Sequence, residues 1–246
     1  MKVIGVIPAR YRSSRLEGKP LKDICGKPMI WWVYEQVKKA KNIDEVYVAT
    51  DDDRIFDKCR ELDINVVMTR DDHKMMLERV WEVSETVKGY IYVSIAGDEP
   101  LIEPENIDKV IGPLKQDKEL LVSNLKTKIT NPIDVVNWTT MKVVCNNKND
   151  IILASRSPLP YPKATTEITY YKHMGTYALR KEALDFFYNT EKGHIESIED
   201  FDLLRFLENH ITVRAVDVNS KTVSVDTEKD LERVTKIMDK RLKESK

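Results

Sequence analysis

The chain opens with an apolar segment, Lys2-Val3-Ile4-Gly5-Val6-Ile7, which runs directly into Pro8-Ala9-Arg10-Tyr11-Arg12-Ser13-Ser14-Arg15-Leu16-Glu17-Gly18-Lys19-Pro20. The apolar segment is too short for a helix and rich in β-branched residues, which predicts a buried strand of a parallel sheet. Ligands of open α/β sheets bind beyond the carboxyl ends of the strands. A site for an anion, such as a phosphate chain, is therefore predicted at the cations that follow, Arg10, Arg12, Arg15 and Lys19. A solvated basic loop is the alternative interpretation.

Length and composition indicate a globular protein with a substantial core. The 246 residues correspond to one large or two small domains, and 33% of them are charged against 41% hydrophobic. Lys and Arg number 40, Asp and Glu number 41, and the net charge is −1. We therefore expect neither nucleic acid nor a membrane surface as a partner.

The cysteines and the N-terminal sequence suggest the cellular location. Cys25, Cys59 and Cys145 are odd in number, widely separated and in no C-x-x-C pair, so neither a disulfide framework nor a zinc site is predicted. The chain begins directly with a strand pattern, without a signal-peptide core or an apolar stretch of about 18 residues. A cytoplasmic protein is the expectation.

Strand and helix patterns alternate in the first part of the chain. Strands are predicted at 46–50, 66–68 and 90–95, and helices at 29–39 and 76–87. Asp51-Asp52-Asp53 is typical of a helix start after the second strand. Such alternation predicts an α/β, Rossmann-like fold with a mostly parallel central sheet flanked by helices.

The pattern changes after Leu120. Short strand-like segments separated by polar turns follow at 121–123, 141–144, 151–154 and 168–171. No Gly/Ser-rich or Pro-rich linker sets this region apart. We therefore predict one domain over 1–246, in which about 120–185 forms a small mixed or antiparallel extension of the sheet.

The last third returns to helix patterns. Ser197-x-x-Asp200 predicts the start of a helix whose apolar face includes Leu204 and Leu207. A strand is predicted at 222–225, ending at Asp226, and Thr227-x-x-Asp230 predicts the cap of a final helix.

Two aspartates stand where predicted strands end, Asp98 and Asp226. Carboxylates, water and substrate phosphates are the usual ligands of Mg²⁺, so the pair predicts a metal–triphosphate site next to the basic loop. For each aspartate considered alone, the alternative interpretation is that it stabilises a turn or caps a helix. A triphosphate beside Arg, Lys and Mg²⁺ suggests nucleotidyl transfer. No Walker motif and no G-x-G-x-x-G follows the first strand, which argues against a P-loop ATPase and an NAD enzyme.

Motifs along almost the whole chain resemble those of the 3-deoxy-manno-octulosonate (Kdo) cytidylyltransferases. The resemblance begins at Pro8-Ala9-Arg10-Tyr11 and Ser13-Ser14-Arg15-Leu16-x-Gly18-Lys19-Pro20-Leu21. It continues in the same order at Gly26-Lys27-Pro28, Val48-Ala49-Thr50-Asp51, Met68-Thr69-Arg70, Gly97-Asp98-Glu99-Pro100, Ser155-Arg156, Lys172-His173-x-Gly175, Ile195-Glu196, Leu204-Arg205 and Val225-Asp226-Thr227.

The resemblance implies transfer of CMP from CTP to the hydroxyl of an acidic α-keto sugar, with release of pyrophosphate, for surface polysaccharide or lipopolysaccharide synthesis. It also implies that Arg10, Arg15 and Lys19 are catalytic and bind the β- and γ-phosphates. Further nucleotide contacts are implied for Ala9, Ser14, Met75, Met76, Arg79 and Asp98. Asp98 and Asp226 would hold Mg²⁺, and a homodimer is implied because family members tend to form one.

The acceptor-sugar pocket is implied to include Ala96, Arg156, His173, Glu196 and Leu203. Arg156 suits a substrate carboxylate, since its planar guanidinium can bind both oxygens. His173 has an alternative role as a hydrogen-bonded strand residue.

Several positions depart from the family pattern. Met75-Met76 replaces a Ser-Gly pair near the base, while Ala96 and Leu203 each replace a glutamine near the sugar. The hypotheses that these changes leave open are a different carboxylated acceptor, a different nucleoside triphosphate, or a nucleotide-binding module without turnover.

Overall fold

The first strand, β1 (Val3–Ala9), lies inside a nine-stranded sheet in the computed structural model, which describes residues 1–12, 15–165, 167–220 and 222–244. A separate small hairpin is formed by β2 (Asp23–Ile24) and β3 (Lys27–Pro28). The other strands of the large sheet are β4 (Glu45–Thr50), β5 (Val66–Met68), β6 (Ile91–Ile95), β7 (Val122–Lys128), β8 (Lys142–Cys145), β9 (Ile151–Ser155), β10 (Tyr171–Arg180) and β11 (Val213–Asp217).

The spatial order of the main strands is β11-β7-β10-β6-β1-β4-β5. β1 pairs in parallel with β4 and β6, β4 with β5, and β7 with β11. β10 alone reverses direction on this path, because it pairs antiparallel with both β6 and β7. β8 pairs with β10, and β9 pairs with β8, both antiparallel.

Helices connect the strands and cover both faces of the sheet. None of the helices in the described ranges combines the length and apolar character needed to cross a bilayer. The helices are α1 (Met29–Lys38), α2 (Asp53–Glu61), α3 (Met76–Thr86), α4 (Pro104–Gln116), α5 (Pro132–Val136), α6 (Lys181–Asn189), α7 (His194–Glu199), α8 (Leu203–Glu208) and α9 (Glu228–Glu244).

The alternation of side chains along β1 divides the core into two layers. Val3, Ile7 and Ala9 pack on the side covered by α1, α2 and α4, whereas Ile4 and Val6 pack on the side covered by α3, α6 and α8. Complete burial of such a side chain contributes about 1.5–3 kcal/mol, so β1 anchors both layers. A third cluster joins α9 to the loop after β1 and contains Leu16, Ile24, Met29, Leu101, Val225, Val234 and Met238.

This architecture confirms the predicted α/β class with a mostly parallel sheet and an antiparallel part. The predicted extension of about 120–185 supplies β7 to β10 to the same large sheet. The assignment of 1–246 to one domain stays a prediction.

The prediction that Ser197 begins a helix is wrong. Ser197 lies inside α7, where its hydroxyl donates to the Gly193 carbonyl. Asp200 then adopts a left-handed conformation with φ of 48°, and this residue ends α7 before α8 begins. The apolar positions of the predicted single helix are therefore divided between two short ones.

The predicted strand at 222–225 is also wrong, because the described residues of that segment form no ladder. A backbone bond from Val225 N to Asp98 O at 2.9 Å ties the segment to the turn after β6. The predicted cap of the final helix is confirmed, since Thr227 and Asp230 bond each other's backbone N–H groups at the start of α9.

Asp202, which precedes α8, is buried against β10. Its carboxylate accepts a 3.0 Å hydrogen bond from the Tyr177 hydroxyl, and burial raises the pKa of Asp202 to about 6. The folded protein therefore holds this proton more tightly than the unfolded chain, in which an aspartate has a pKa of about 4. The free energy of unfolding is expected to fall as pH rises from about 4 to about 6.

Substitution Asp202→Asn is expected to remove this contribution, because an amide does not titrate. Urea denaturation at pH 4 and pH 7 should show that the wild-type protein loses about 1–3 kcal/mol more than the variant across that interval. An equal pH dependence in both proteins would contradict the raised pKa.

Candidate active site

A cavity of about 410 Å³ opens at the carboxyl ends of β1 and β6. Its position agrees with the predicted crevice of an open α/β sheet. Eight of the predicted site residues line it, namely Ala9, Arg10, Lys19, Met75, Met76, Arg79, Ala96 and Asp98, together with Pro8, Arg12, Pro20, Met29 and Gly97.

The basic loop is shaped by Gly18, which has a φ of 65° that favours glycine. Its N–H donates to the Tyr11 carbonyl at 2.9 Å, and a Cβ here would lie only 3.1 Å from the Tyr11 ring. A short 3-10 turn, Lys19–Leu21, follows directly. This local geometry turns the Lys19 side chain back towards the end of β6.

Lys19 holds two carboxylates together. Its ammonium lies 2.8 Å from Asp98 Oδ2 and 3.3 Å from Asp226 Oδ1, and Arg15 Nη2 lies 2.8 Å from the same Asp226 oxygen. Burial opposes the lysine charge, but the two carboxylates outweigh it and raise the pKa of Lys19. Lys19 therefore remains charged at neutral pH, and the cluster is open to ligands because Lys19 retains 15% exposure and Asp98 30%.

The turn after β6 sets the position of Asp98. A Cβ on Gly97 would lie 2.8 Å from the Pro8 carbonyl oxygen, so the turn approaches β1 more closely than any other residue type allows. The Asp98 carbonyl accepts from Val225 N–H, which places Asp226 beside Asp98 although the two are far apart in the chain.

Glu99 adds a second link between these segments and was assigned no role from the sequence. Its Oε1 atom accepts a 3.3 Å hydrogen bond from Ser224, and its Oε2 atom has no hydrogen-bond partner among the residues that the structure describes. Burial, and then the nearby Asp98 charge, raise the pKa of Glu99 to about 7. Ser224 thus supports the Asp98 turn.

The opposite wall is formed at the start of α3 by Met75, Met76 and Arg79. Arg79 is 2% exposed, and its Nη2 atom lies 2.8 Å from Asp51 Oδ2, while Nη1 donates to the Thr69 hydroxyl. The predicted helix start at Asp51-Asp52-Asp53 is confirmed, with Asp52 as the N-cap residue of α2, and Asp51 is the counter-ion of Arg79. The sequence signal for this role of Asp51 is its position directly after the parallel strand β4.

The remaining cations of the loop are exposed. Arg10 and Arg12 line the cavity, and both belong to the predicted anion site, although the family resemblance implied no nucleotide contact for Arg12. Arg15 reaches the cluster through Asp226 and is not part of the cavity wall. The predicted nucleotide contact of Ser14 lies outside the described residues.

The predicted acceptor residues fall into two groups. Ala96 lines the cavity, whereas His173 is not one of its lining residues and lies on β10 at the irregular pairing between His173 and Tyr177. Arg156 is farther along the extension and donates to the carbonyls of Glu199, Trp138 and Asp200 at 2.8 to 3.3 Å. Three of its five N–H donors are thus engaged within the protein.

Glu196 and Leu203 are not acceptor contacts in this structure, which corrects that prediction. Glu196 is fully buried, and its two carboxylate oxygens receive Arg205 Nε and Nη2 at 2.7 and 2.6 Å. Leu203 is also fully buried and packs in the core layer beneath α8. Leu203 therefore contributes to core packing, and Glu196 compensates the charge of the buried Arg205.

Comparison with known proteins places these features in a family. A family model described as cytidylyltransferase matches residues 4–239. A protein of Fusobacterium nucleatum subsp. nucleatum named 3-deoxy-manno-octulosonate cytidylyltransferase is 40% identical, covering 95% of this chain and 96% of its own length. A protein of the same name from Escherichia coli is 38% identical over 99% of both chains.

A solved structure has nearly the same fold. It is that of CMP:2-keto-3-deoxy-manno-octonic acid synthetase complexed with CTP. The two structures superpose with a TM-score of 0.93 at 38% sequence identity, covering 98% of this chain and 100% of the other.

The buried Glu196–Arg205 pair predicts a loss of stability on removal of the carboxylate. Glu196→Ala leaves Arg205 charged and uncompensated, so the free energy of unfolding should fall by about 3–5 kcal/mol. Urea denaturation checks this value against Glu232→Ala, an exposed position of α9 where a change within about 0.5 kcal/mol is expected. Equal stability of the two variants would contradict the structural role.

Proposed function

The chain belongs to the cytidylyltransferase family, and from this membership we propose that it transfers CMP from CTP to an acidic α-keto sugar, either Kdo or a Kdo-like acid. The likeness to the synthetase structure confirms the Rossmann-like nucleotidyltransferase fold predicted from the sequence. The observation that carries the proposal is the convergence of Lys19, Asp98 and Asp226 at the mouth of the cavity.

The reaction joins the sugar hydroxyl oxygen to the α-phosphorus of CTP. The bond from that phosphorus to the bridging oxygen of the β-phosphate breaks, pyrophosphate leaves, and the hydroxyl proton passes to solvent. Arg10, Arg15 and Lys19 supply positive charge where the leaving group gathers negative charge, which is the main protein contribution to such transfers. The raised pKa of Lys19 keeps its ammonium charged for this task.

The donor set at Asp98 and Asp226 fits Mg²⁺. Their oxygens converge on one cationic position, at present the Lys19 ammonium. The described ranges contain no cluster of three or more His, Cys, Asp or Glu side chains with metal-site geometry, so water and phosphate oxygens would complete the ligand sphere, as is usual for Mg²⁺. A bound Mg²⁺ ion supplies further positive charge to the transferred phosphate.

The specificity positions are not equivalent. Met75 and Met76 face the cavity and give the base side an apolar wall, where Ser-Gly would offer polar contacts. Of the two glutamines lost on the sugar side, only the one replaced by Ala96 faces the cavity, since Leu203 lies in the core. The Ala96 position is therefore expected to lose one hydrogen bond to the sugar, which would weaken the free energy of binding by about 1–3 kcal/mol.

The cellular role follows from the substrates. An activated acidic sugar serves synthesis of surface polysaccharide or lipopolysaccharide, and CTP is made in the cytoplasm, where we expect the protein to act. The three cysteines are unpaired in the structure, as in proteins of a reducing compartment.

A second copy of the chain is the expected partner. Trp138 and Ile152 retain 70% and 59% exposure, and β9, which carries Ile152, pairs only with β8 among the described strands. Arg156 connects the Trp138 segment to Asp200 at the end of α7, and Ile198 of that helix is also exposed. An open strand edge with apolar side chains is typical of a surface that is covered in the assembled protein.

Pyrophosphate release tests the proposed reaction. Each of the four nucleoside triphosphates is supplied with Mg²⁺ and, in turn, with Kdo, other α-keto acid sugars and small acids. Release is expected with CTP and an acidic α-keto sugar, and release with another pair would identify the alternative substrate. No release with any pair would overturn the enzymatic function and leave a nucleotide-binding module.

In the same assay, Asp98→Asn should lower kcat by about 100-fold or more, because it removes one of the two carboxylates. Asp57→Asn, an exposed position on α2, is the control and should retain full activity. Circular dichroism checks that both variants are folded. Substantial residual turnover by Asp98→Asn would remove Asp98 from the metal site.

Sedimentation analysis tests the homodimer. The wild-type chain should sediment with twice its chain mass, and Ile152→Lys should shift the protein towards the monomer, because it places a charge on the open strand edge. Leu242→Lys, near the end of α9, is a matched exposed apolar position outside this region. A wild-type monomer, or equal effects of the two variants, would contradict this interface.

A further inference from the structure

Asn124, in the middle of β7, binds the irregular part of β10 through its whole amide group. Its Nδ2 atom donates to the carbonyls of Met174 and Thr176, both at 2.9 Å. Its Oδ1 atom lies 3.0 Å from His173 Nδ1. Because Asn124 is completely buried, its amide bonds these protein groups and not bulk solvent.

This arrangement determines which nitrogen of His173 carries the proton. Two carbonyls fix the amide nitrogen of Asn124, so the atom that faces the imidazole is the carbonyl oxygen, which only accepts. Nδ1 of His173 must therefore donate, and the proton resides there. Burial lowers the pKa of His173 to about 3, so the ring is neutral and Nε2 presents a lone pair.

The segment of β10 that carries His173 is bonded to the cavity wall at Ala96. Gly175, in the same irregular segment, accepts a 3.1 Å hydrogen bond from Ala96 N–H, and Ala96 lines the cavity. The imidazole packs between Tyr177 and Phe201, at ring distances of 5.2 and 4.8 Å. Nε2 of His173 has no hydrogen-bond partner in the described part of the chain. It is also not completely buried from solvent, so a ligand can reach it.

We propose that Asn124 is a positioning residue for the acceptor sugar, which holds His173 so that Nε2 accepts a hydrogen bond from a sugar hydroxyl. This inference rests on the proposed function and makes it more specific. A lone pair at Nε2 attracts a hydroxyl and repels a carboxylate, so the acid group of the substrate must face another part of the pocket. The amide of Asn124 thereby contributes to the orientation of the sugar without touching it.

The kinetic test compares two neighbouring positions of β7. Asn124→Ala removes the amide, whereas Ser123→Ala removes a buried hydroxyl whose bond goes to the Val110 carbonyl. Asn124→Ala is expected to raise the KM for the acceptor sugar by about tenfold with the KM for CTP within twofold of wild type. Ser123→Ala should change neither constant. Equal effects of the two variants, or a change confined to CTP, would overturn the proposal.

Replacement of His173 separates the two ring nitrogens. The amide of Asn in His173→Asn can occupy the Nδ1 position and keep the bond to Asn124, but it leaves nothing at the Nε2 position. His173→Gln can place an amide oxygen near the Nε2 position. His173→Gln should therefore retain more acceptor binding than His173→Asn, and the reverse order would contradict the role of Nε2.

Nitrogen-15 NMR of histidine-labelled protein reads the tautomer directly. The signals of His173, assigned by their loss in His173→Asn, should show a protonated Nδ1 and an unprotonated Nε2. In Asn124→Ala the proton should redistribute towards Nε2, while Ser123→Ala keeps the wild-type pattern. A wild-type protein with its proton on Nε2 would overturn the proposal.

Failure of the proposed function is distinguishable from failure of this inference. If no acid supports pyrophosphate release, the proposed function fails, and titration of the labelled protein with Kdo replaces the kinetic arm. A shift of the Nε2 signal that is weakened by Asn124→Ala would still support the positioning role. Absence of any shift would overturn it.

Discussion

The ion cluster of Lys19 with Asp98 and Asp226 is the constraint on which the site depends. Two carboxylates brought this close repel each other unless a cation lies between them. The fold brings them close by backbone means, through the approach of Gly97 to β1 and the bond from Val225 to the Asp98 carbonyl. The cluster remains partly exposed, so phosphate and a metal ion can replace contacts that now satisfy the lysine.

The reversed strand β10 gives the site its second half. Because β10 lies between β6 and β7, its irregular segment is adjacent to the turn that carries Ala96 and Asp98. In the proposed function, the phosphate end of the site thus comes from the parallel half of the sheet and the sugar end from the antiparallel addition. Asn124 of β7 is buried in the core and also holds the His173 ring through a hydrogen bond.

The sequence indicated the parallel half well and the remainder less well. β1, the basic loop and both aspartates were predictable, since strand ends in such a sheet converge at one edge. α4 was missed because Gly112-Pro113 is typical of a loop, whereas burial of Ile107, Val110, Ile111 and Leu114 supports the helix. The burial of Glu196 and Leu203 depends on the break at Asp200, a tertiary feature without a local pattern.

Binding of pyrophosphate, the leaving group alone, tests the central claim that Lys19 and its two aspartates form the phosphate end of the site. Calorimetric titration in the presence of Mg²⁺ should show binding to the wild-type protein and a loss of tenfold or more, about 1.4 kcal/mol, in Lys19→Met. Lys22→Met, in the same loop and paired with Glu228, should bind as the wild-type protein does. Equal affinity of wild-type protein and Lys19→Met would contradict the account.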